Sequence, residues 1–263
     1  MLKAPITIES PDDERISDYV GLKDRRESDE FLIAETPLVV ERLLASRFRV
    51  RSFLFSPKGW EKMATVVAKS HAQVYIADNE VLENIAGFEV HRGVLASATR
   101  RSLPTLPDVL ARSKRLVVLE GSNDLENIGV VARSARALGV DAMILDPTCA
   151  DPFARRAVRV SMGEILHMPI ARASKWPDNL ELLAKWGFEI WALTPDANAE
   201  SLFTMGMPEK VALVAGAEGP GLTAAARANT HYDVRIPMHH GVDSLNLGHA
   251  LAIAMAAVSP PPA

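Results

Sequence analysis

A chain of 263 residues that is 48% hydrophobic and 24% charged, with a net charge of −4, has an ordinary globular composition and is long enough for one or two cores. Its single cysteine excludes an intrachain disulfide and a thiolate metal cage. Its seven histidines lack metal-ligand spacing, and it has no apolar run of about 18 residues to cross a membrane. The mild acidity argues against gross electrostatic binding of nucleic acid but not against a local basic site. The acidic start MLKAPITIESPDDER lacks an apolar signal core, so a cytoplasmic protein is expected.

The first half alternates strand and helix signals. FLIAE (31–35) reads as a strand, and Pro37 then opens a helix over 38–47. Strand 50–56 precedes a helix over 60–70 with Met63, Val66 and Val67 on one face. Strand 74–77, helix 81–86 and strand 93–99 complete a small α/β unit. Residues 100–115, with two prolines and several charges, predict a linker, and the division is placed near residue 110. The expected domains are 1–109 and 110–263.

The second half opens on LVVLEG (116–121), a continuous apolar run of the buried parallel type. A helix over 128–139 follows, ended by Gly139. Strands are predicted at 141–145, 188–193, 210–216 and 232–237, with a weaker one at 164–169. Helices are predicted at 152–160, 176–186, 222–228 and 245–258. The pattern is a mostly parallel sheet with helices on its faces, which binds ligands beyond the carboxyl ends of its strands.

Three clusters fall at those strand ends. In NDLENIGVVARSARALG (123–139), Asn127 and Gly129 follow a strand, and Arg133 lies about one and two-thirds turns after Asn127. They either face a site or serve as a cap, a turn and a solvent arginine. In LVAGAEGPGLT (213–223), Glu218 lies among glycines that let backbone amides approach a ligand, or it simply caps amides. The run fits neither a dinucleotide fingerprint nor a P-loop. In IPMHHGVDSLNLGHALAIAMA (236–257), Ser244 and Asn246 open an apolar helix, and Ser244 is the expected N-cap if it has no other role.

Together the clusters resemble the SpoU (TrmH) family of RNA ribose 2′-O-methyltransferases. The N-x-G-x-x-x-R motif is matched by Asn127, Gly129 and Arg133. The G-x-E-G-x-G-L turn runs from Gly216 to Leu222. The I-P-M…S-L-N block is matched by Ile236, Pro237, Met238, Ser244, Leu245 and Asn246. The resemblance covers about residues 114–258. More loosely, residues 15–100, ending in the His91–Ala96 stretch, look like a ribosomal-protein-like RNA-binding domain.

The resemblance implies an α/β fold of SPOUT type, with a deep trefoil knot in a parallel-sheet methyltransferase domain, preceded by a small α/β RNA-binding domain. It implies S-adenosylmethionine held at Gly216, Ile236 and Leu245, with Leu193 and Thr194 near. It implies catalytic-side roles for Arg133, Asn127, Ser244, Asn246 and Glu218. An arginine of ordinary pKa is a charge stabiliser rather than a base, although the family has been assigned the other role as well. Arg42, Arg47, Arg49, Arg51, Arg100 and Arg101 are candidates for RNA phosphates; a solvated surface is the competing reading. The implied partners are RNA, ribosomal rather than transfer RNA, and a second copy of the chain in a homodimer, with no metal and no membrane. A transfer-RNA methyltransferase and a non-catalytic RNA-binding protein of the same fold are the alternatives.

Overall fold

In the computed structural model, residues 4–24 and 27–259 are described. The chain forms two units. The first holds Met1–Arg101 with Asp151–His167, and the second holds Ser102–Ala150 with Met168–Ala263. This differs in two ways from the expected cut near residue 110: the change of unit falls at residue 101, and residues 151–167 return to the first unit.

The first unit begins with β1 (Ile6–Thr7) and a 3-10 helix at Glu14–Tyr19, neither of which the sequence pattern signals. The apolar run 31–35 forms β2 (Phe31–Glu35), buried along its whole length. Pro37 starts α1 (Pro37–Leu44), followed by β3 (Arg49–Phe55), α2 (Pro57–Val67), β4 (Gln73–Ile76), α3 (Asn79–Ala86) and β5 (Val94–Thr99). The sheet order is β1-β4-β3-β5-β2, with β5 antiparallel to both neighbours and the other pairs parallel. Phe53 and Phe55 are fully buried, each stabilising the fold by about 1.5–3 kcal/mol through burial.

The second unit opens with α4 (Leu106–Leu110) inside the expected linker. Thr105 caps it, Pro107 lies in its first turn, and Leu106, Val109 and Leu110 are buried in that unit's core. The proline marks a helix start there rather than a loop. Next come β6 (Arg115–Glu120), α5 (Leu125–Ala137) and β7 (Ala142–Leu145). Gly139, at φ +71°, ends the α5 turn in the left-handed region that favours glycine.

The returning segment carries α6 (Arg155–Val160), which packs on β2. The strand expected at 164–169 is instead a 3-10 helix at Glu164–His167. Arg42 holds it there, pairing with Glu164 at 3.1 Å while its carbonyl meets His167 Nε2 at 3.0 Å. The strand itself forms just beyond Pro169, as β8 (Ile170–Arg172).

The chain closes with α7 (Asn179–Lys185), β9 (Glu189–Leu193), β10 (Glu200–Ser201), β11 (Val211–Gly216), α8 (Ala224–Arg227), β12 (Tyr232–Arg235) and α9 (Leu247–Val258). The sheet order is β10-β12-β9-β11-β6-β7-β8, and every pair is parallel. β6 and β11 lie at its centre and are buried almost throughout, which is why both read as continuous apolar runs. All carboxyl ends therefore lie on one side, where the three sequence clusters converge.

Candidate active site

A cavity of about 750 Å³ lies beyond the ends of β9, β11 and β12, within the size range of small-ligand sites, about 300–1,000 Å³. All five residues expected on the cofactor side, Leu193, Thr194, Gly216, Ile236 and Leu245, line it. Val234, Met238 and Leu247 add apolar wall. Such a lining recognises a flat heterocycle by packing and by main-chain amides and carbonyls. It fits an adenosine-bearing cofactor.

Gly216 is needed for a reason the sequence did not reveal. A Cβ there would lie 2.1 Å from Gly221 C and 2.4 Å from Leu222 N. The loop after β11 folds back on itself, with Gly221 N–H donating to Ala217 O at 3.0 Å. The glycine is demanded by this return of its own chain; approach of a ligand is not required to explain it.

Three residues from distant stretches meet beside the cavity. The Asn246 amide nitrogen donates to Asn127 Oδ1 at 3.0 Å and to Glu218 Oε1 at 2.6 Å. Its oxygen accepts from the amides of Gly248 and His249 at 2.9 and 3.3 Å, capping α9. Two donors and two acceptor positions are thus all used. Glu218 also accepts from Leu247 N at 3.1 Å, so its anion sits at the positive end of α9. Glu218 holds a side-chain amide and the first N–H of α9, as a capping carboxylate would.

The helix caps differ from expectation. Asn246, not Ser244, caps α9, and Asp124, not Asn127, caps α5. Asn127 lies inside the first turn of α5 and is buried. Ser244 lines the cavity, exposed, with no hydrogen bond among the described residues.

Arg133 is not brought to this cavity. It is exposed on α5, with no ion pair or hydrogen bond among the described residues. The six arginines of the first unit separate into two groups. Arg42 is tied to Glu164 and to Met162 O, Arg51 to Asp18 at 2.8 Å, and Arg100 to Asp151. Arg47, Arg49 and Arg101 are exposed without a carboxylate partner among the described residues. Arg101 donates to Arg47 O at 3.0 Å. Burial, and then the Arg101 charge, push the Arg47 pKa below the usual arginine range.

Several polar residues of this region carried no sequence signal. Glu120, buried at the end of β6, accepts three hydrogen bonds from two other loops. Arg227 lines the cavity, and its hydrogen bond to Asp233 raises its pKa above the ordinary value. Asp146, at the end of β7, accepts from the amides of Gly121, Thr148 and Cys149. Glu120 was hidden because its partners lie on other loops, and Asp146 because Gly121 lies on another strand's end.

His231 Nδ1 accepts from Ile190 N at 2.9 Å, and the exposed His239 and His240 rings lie 6.1 Å apart. Among the described residues, no group of three or more His, Cys, Asp and Glu could hold a metal ion. None of their helices is long and apolar enough to cross a membrane.

A parallel α/β sheet with a glycine-rich loop and a cavity at its carboxyl ends is an architecture suited to a nucleoside-bearing cofactor. Residues 114–256 match the SpoU rRNA Methylase family, and the chain belongs to it. An uncharacterized tRNA/rRNA methyltransferase of Mycobacterium tuberculosis is 44% identical over 253 residues, covering 93% of this chain and 88% of that protein. The 23S rRNA (guanosine(2553)-2′-O)-methyltransferase of Bacillus subtilis is 26% identical over 94% of this chain and 96% of its own length. The AdoMet-bound rRNA methyltransferase structure from Sinorhizobium meliloti superposes with a TM-score of 0.80 at 25% identity, covering 97% of each chain. The family resemblance and the parallel α/β fold read from the three motifs hold.

Proposed function

We propose that this protein transfers a methyl group from S-adenosylmethionine to a ribose 2′-hydroxyl of RNA, ribosomal RNA in preference to transfer RNA. The observation that carries the reading is the junction of Asn127, Glu218 and Asn246 beside a cavity lined by Gly216, Ile236 and Leu245. When bound, the cofactor supplies a methyl made electrophilic by its sulfonium.

The chain's own task is then to align the hydroxyl and to stabilise charge on its oxygen. Ser244, with its hydroxyl uncommitted, is placed to meet the ribose at the cavity wall. Asn246 and Glu218 keep the start of α9 and the glycine loop in register. Arg133 has the planar fork suited to a phosphate or an oxyanion. Its exposure on α5 suits a homodimer in which each copy lends its Arg133 to the other's cavity. The trefoil knot and a cytoplasmic location are part of the same reading. The first unit is the RNA-binding part, with Arg47, Arg49 and Arg101 on phosphates.

The test is a map of 2′-O-methyl sites in total cellular RNA with and without this protein. One ribosomal position should lose its methyl when the protein is absent. An unchanged map, together with no thermal stabilisation of the pure protein by S-adenosylmethionine, would overturn the reading.

A further inference from the structure

We propose that Glu120 is a positioning residue for cofactor binding: a buried carboxylate that clamps the base of the glycine loop forming one cavity wall. This rests on the reading of the cavity as the S-adenosylmethionine site. Glu120 is only 6% exposed and lies directly across from Gly216 in the β6/β11 pairing.

The wall leaves β11 at Gly216 and returns at Thr223, the cap of α8. Its return point is bound twice by the same carboxylate, with Thr223 N donating to Oε2 at 2.8 Å and Thr223 Oγ1 to Oε1 at 2.7 Å. Trp176 Nε1 donates to Oε1 at 2.5 Å from the stretch before α7. The other flank of the loop is held separately, by Glu218 on Leu247 N and the Asn246 amide. A loop of three glycines has large conformational freedom to lose. Two carboxylates, one at each flank, fix it in the form that lines the cavity. A buried carboxylate is kept only when its oxygens are filled, and here three donors from two loops fill them. The carboxylate's geometry therefore sets where Gly216, Ala217 and Leu222 stand.

Glutamine at 120 keeps the size but turns an N–H₂ toward a donor, Thr223 N or Oγ1. The clamp on the loop then weakens while β6 stays packed. The experiment is calorimetric titration of full-length protein with S-adenosylmethionine, on wild type, Glu120→Gln, Trp176→Phe, Thr223→Val and the double variant Glu120→Gln/Thr223→Val. Glu120→Gln should weaken cofactor affinity roughly tenfold or more. Steady-state assays should show the loss in KM for the cofactor rather than in kcat or in KM for RNA. Trp176→Phe removes one of the three donors but leaves Thr223 on both carboxylate oxygens, so its loss of affinity should be clearly smaller than that of Glu120→Gln. The double variant should lose clearly less affinity than the sum of the two single losses, because both break one clamp even though Thr223→Val also removes the cap of α8.

Wild-type affinity in Glu120→Gln, or additive losses in the double variant, would overturn the proposal. A wild-type protein that binds no S-adenosylmethionine would instead overturn the reading of the cavity. If Glu120→Gln fails to fold, Thr223→Val and Thr223→Ser decide the matter. The valine variant should lose affinity, and the serine variant, which keeps both donors, should retain it.

Discussion

At the residue scale, Asn246 spends every hydrogen-bonding position it has on the protein. Its side chain is a joint, which yields a specific expectation. Asn246→Asp faces a second carboxylate across the 2.6 Å contact with Glu218. It should lower stability by about 1 kcal/mol, the bulk-water scale that suits exposed side chains, and weaken cofactor binding. Adding Glu218→Gln replaces the repulsion with an N–H₂ donor and should restore most of both. Glu218→Gln alone should be mild, since the same oxygen can still accept from Asn246 and Leu247. Melting temperature and calorimetric affinity across the three variants decide this. Failure of the pair to recover would mean that the donation to Asn127 Oδ1, which an aspartate cannot make, carries the effect. Arg133 behaves differently: Arg133→Ala should leave cofactor affinity nearly intact and cut kcat by about 10²–10³, the scale of one lost oxyanion donor. Arg133→Lys should be similarly impaired, as a point charge replaces a planar fork. Wild-type turnover in either would remove Arg133 from the chemistry. The site was legible in sequence where a motif placed a residue on a cavity-lining turn, as with Gly216, Ile236 and Leu245. It was not legible where a residue's role depends on a partner far along the chain. Asn127 and Asn246 are joined across 119 positions, and Glu120 and Thr223 across 103.

Among the elements, the loop after β7 shows how a strand end is stiffened. Burial alone would raise the Asp146 pKa. Donors from Thr148, Cys149 and Gly121 outweigh that and leave it below the ordinary aspartate value. Arg172, on β8, donates to the carbonyls of Asp146, Cys149 and Ala150 at 2.9, 2.8 and 3.1 Å. A carboxylate with a lowered folded-state pKa adds stability that is present above its unfolded value and lost as pH falls through the folded one. Asp146→Ala strands several amide donors, at about 1–3 kcal/mol for each one left buried. Its destabilisation relative to wild type should be full at pH 7 and shrink as pH falls through and below the ordinary carboxylate range, because the Asp146 pKa is lowered in the fold, measured by denaturant unfolding. A constant difference across that range would show that the carboxylate's charge has no part in it. Cys149 lies in the same loop, its thiol pushed up to about 12, first by burial and then by Asp146. The central strands were readable because burial on both faces leaves an unbroken apolar run. The stretch 164–169 reads as a strand because a 3-10 turn and a short strand look alike over six residues, and the contacts of Arg42 with Glu164 and His167 come from far along the chain.

For the whole molecule, the two units divide the chain in a way that sequence alone could not show. A fragment starting near residue 110 is the natural cut from composition, yet residues 151–167 belong to the first unit. Phe153, Ala157, Val158 and Ile165 are buried, α6 packs on β2, and Arg155 reaches Glu35 at 2.7 Å. A fragment 102–263 keeps this apolar segment without its partner strand and should aggregate or melt early, so it is a poor test of RNA binding. The full chain offers a better one, because the basic residues of the first unit do two different jobs. Arg42, Arg51 and Arg100 are tied to Glu164, Asp18 and Asp151. Replacing Arg100 by alanine should lower the melting temperature, since Asp151 then loses its bidentate partner. Arg47, Arg49 and Arg101 have no carboxylate partner among the described residues, and the reading of the first unit as the RNA-binding part assigns them to phosphates. Reversing all three to glutamate should leave the melting temperature close to wild type. It should weaken RNA binding and reduce the slope of log affinity against log salt by roughly 2–3, about 0.7–0.9 for each phosphate that is no longer neutralised. Fluorescence anisotropy with a ribosomal RNA fragment at several salt concentrations measures both quantities. An unchanged slope in the triple variant would place the RNA on another face of the molecule.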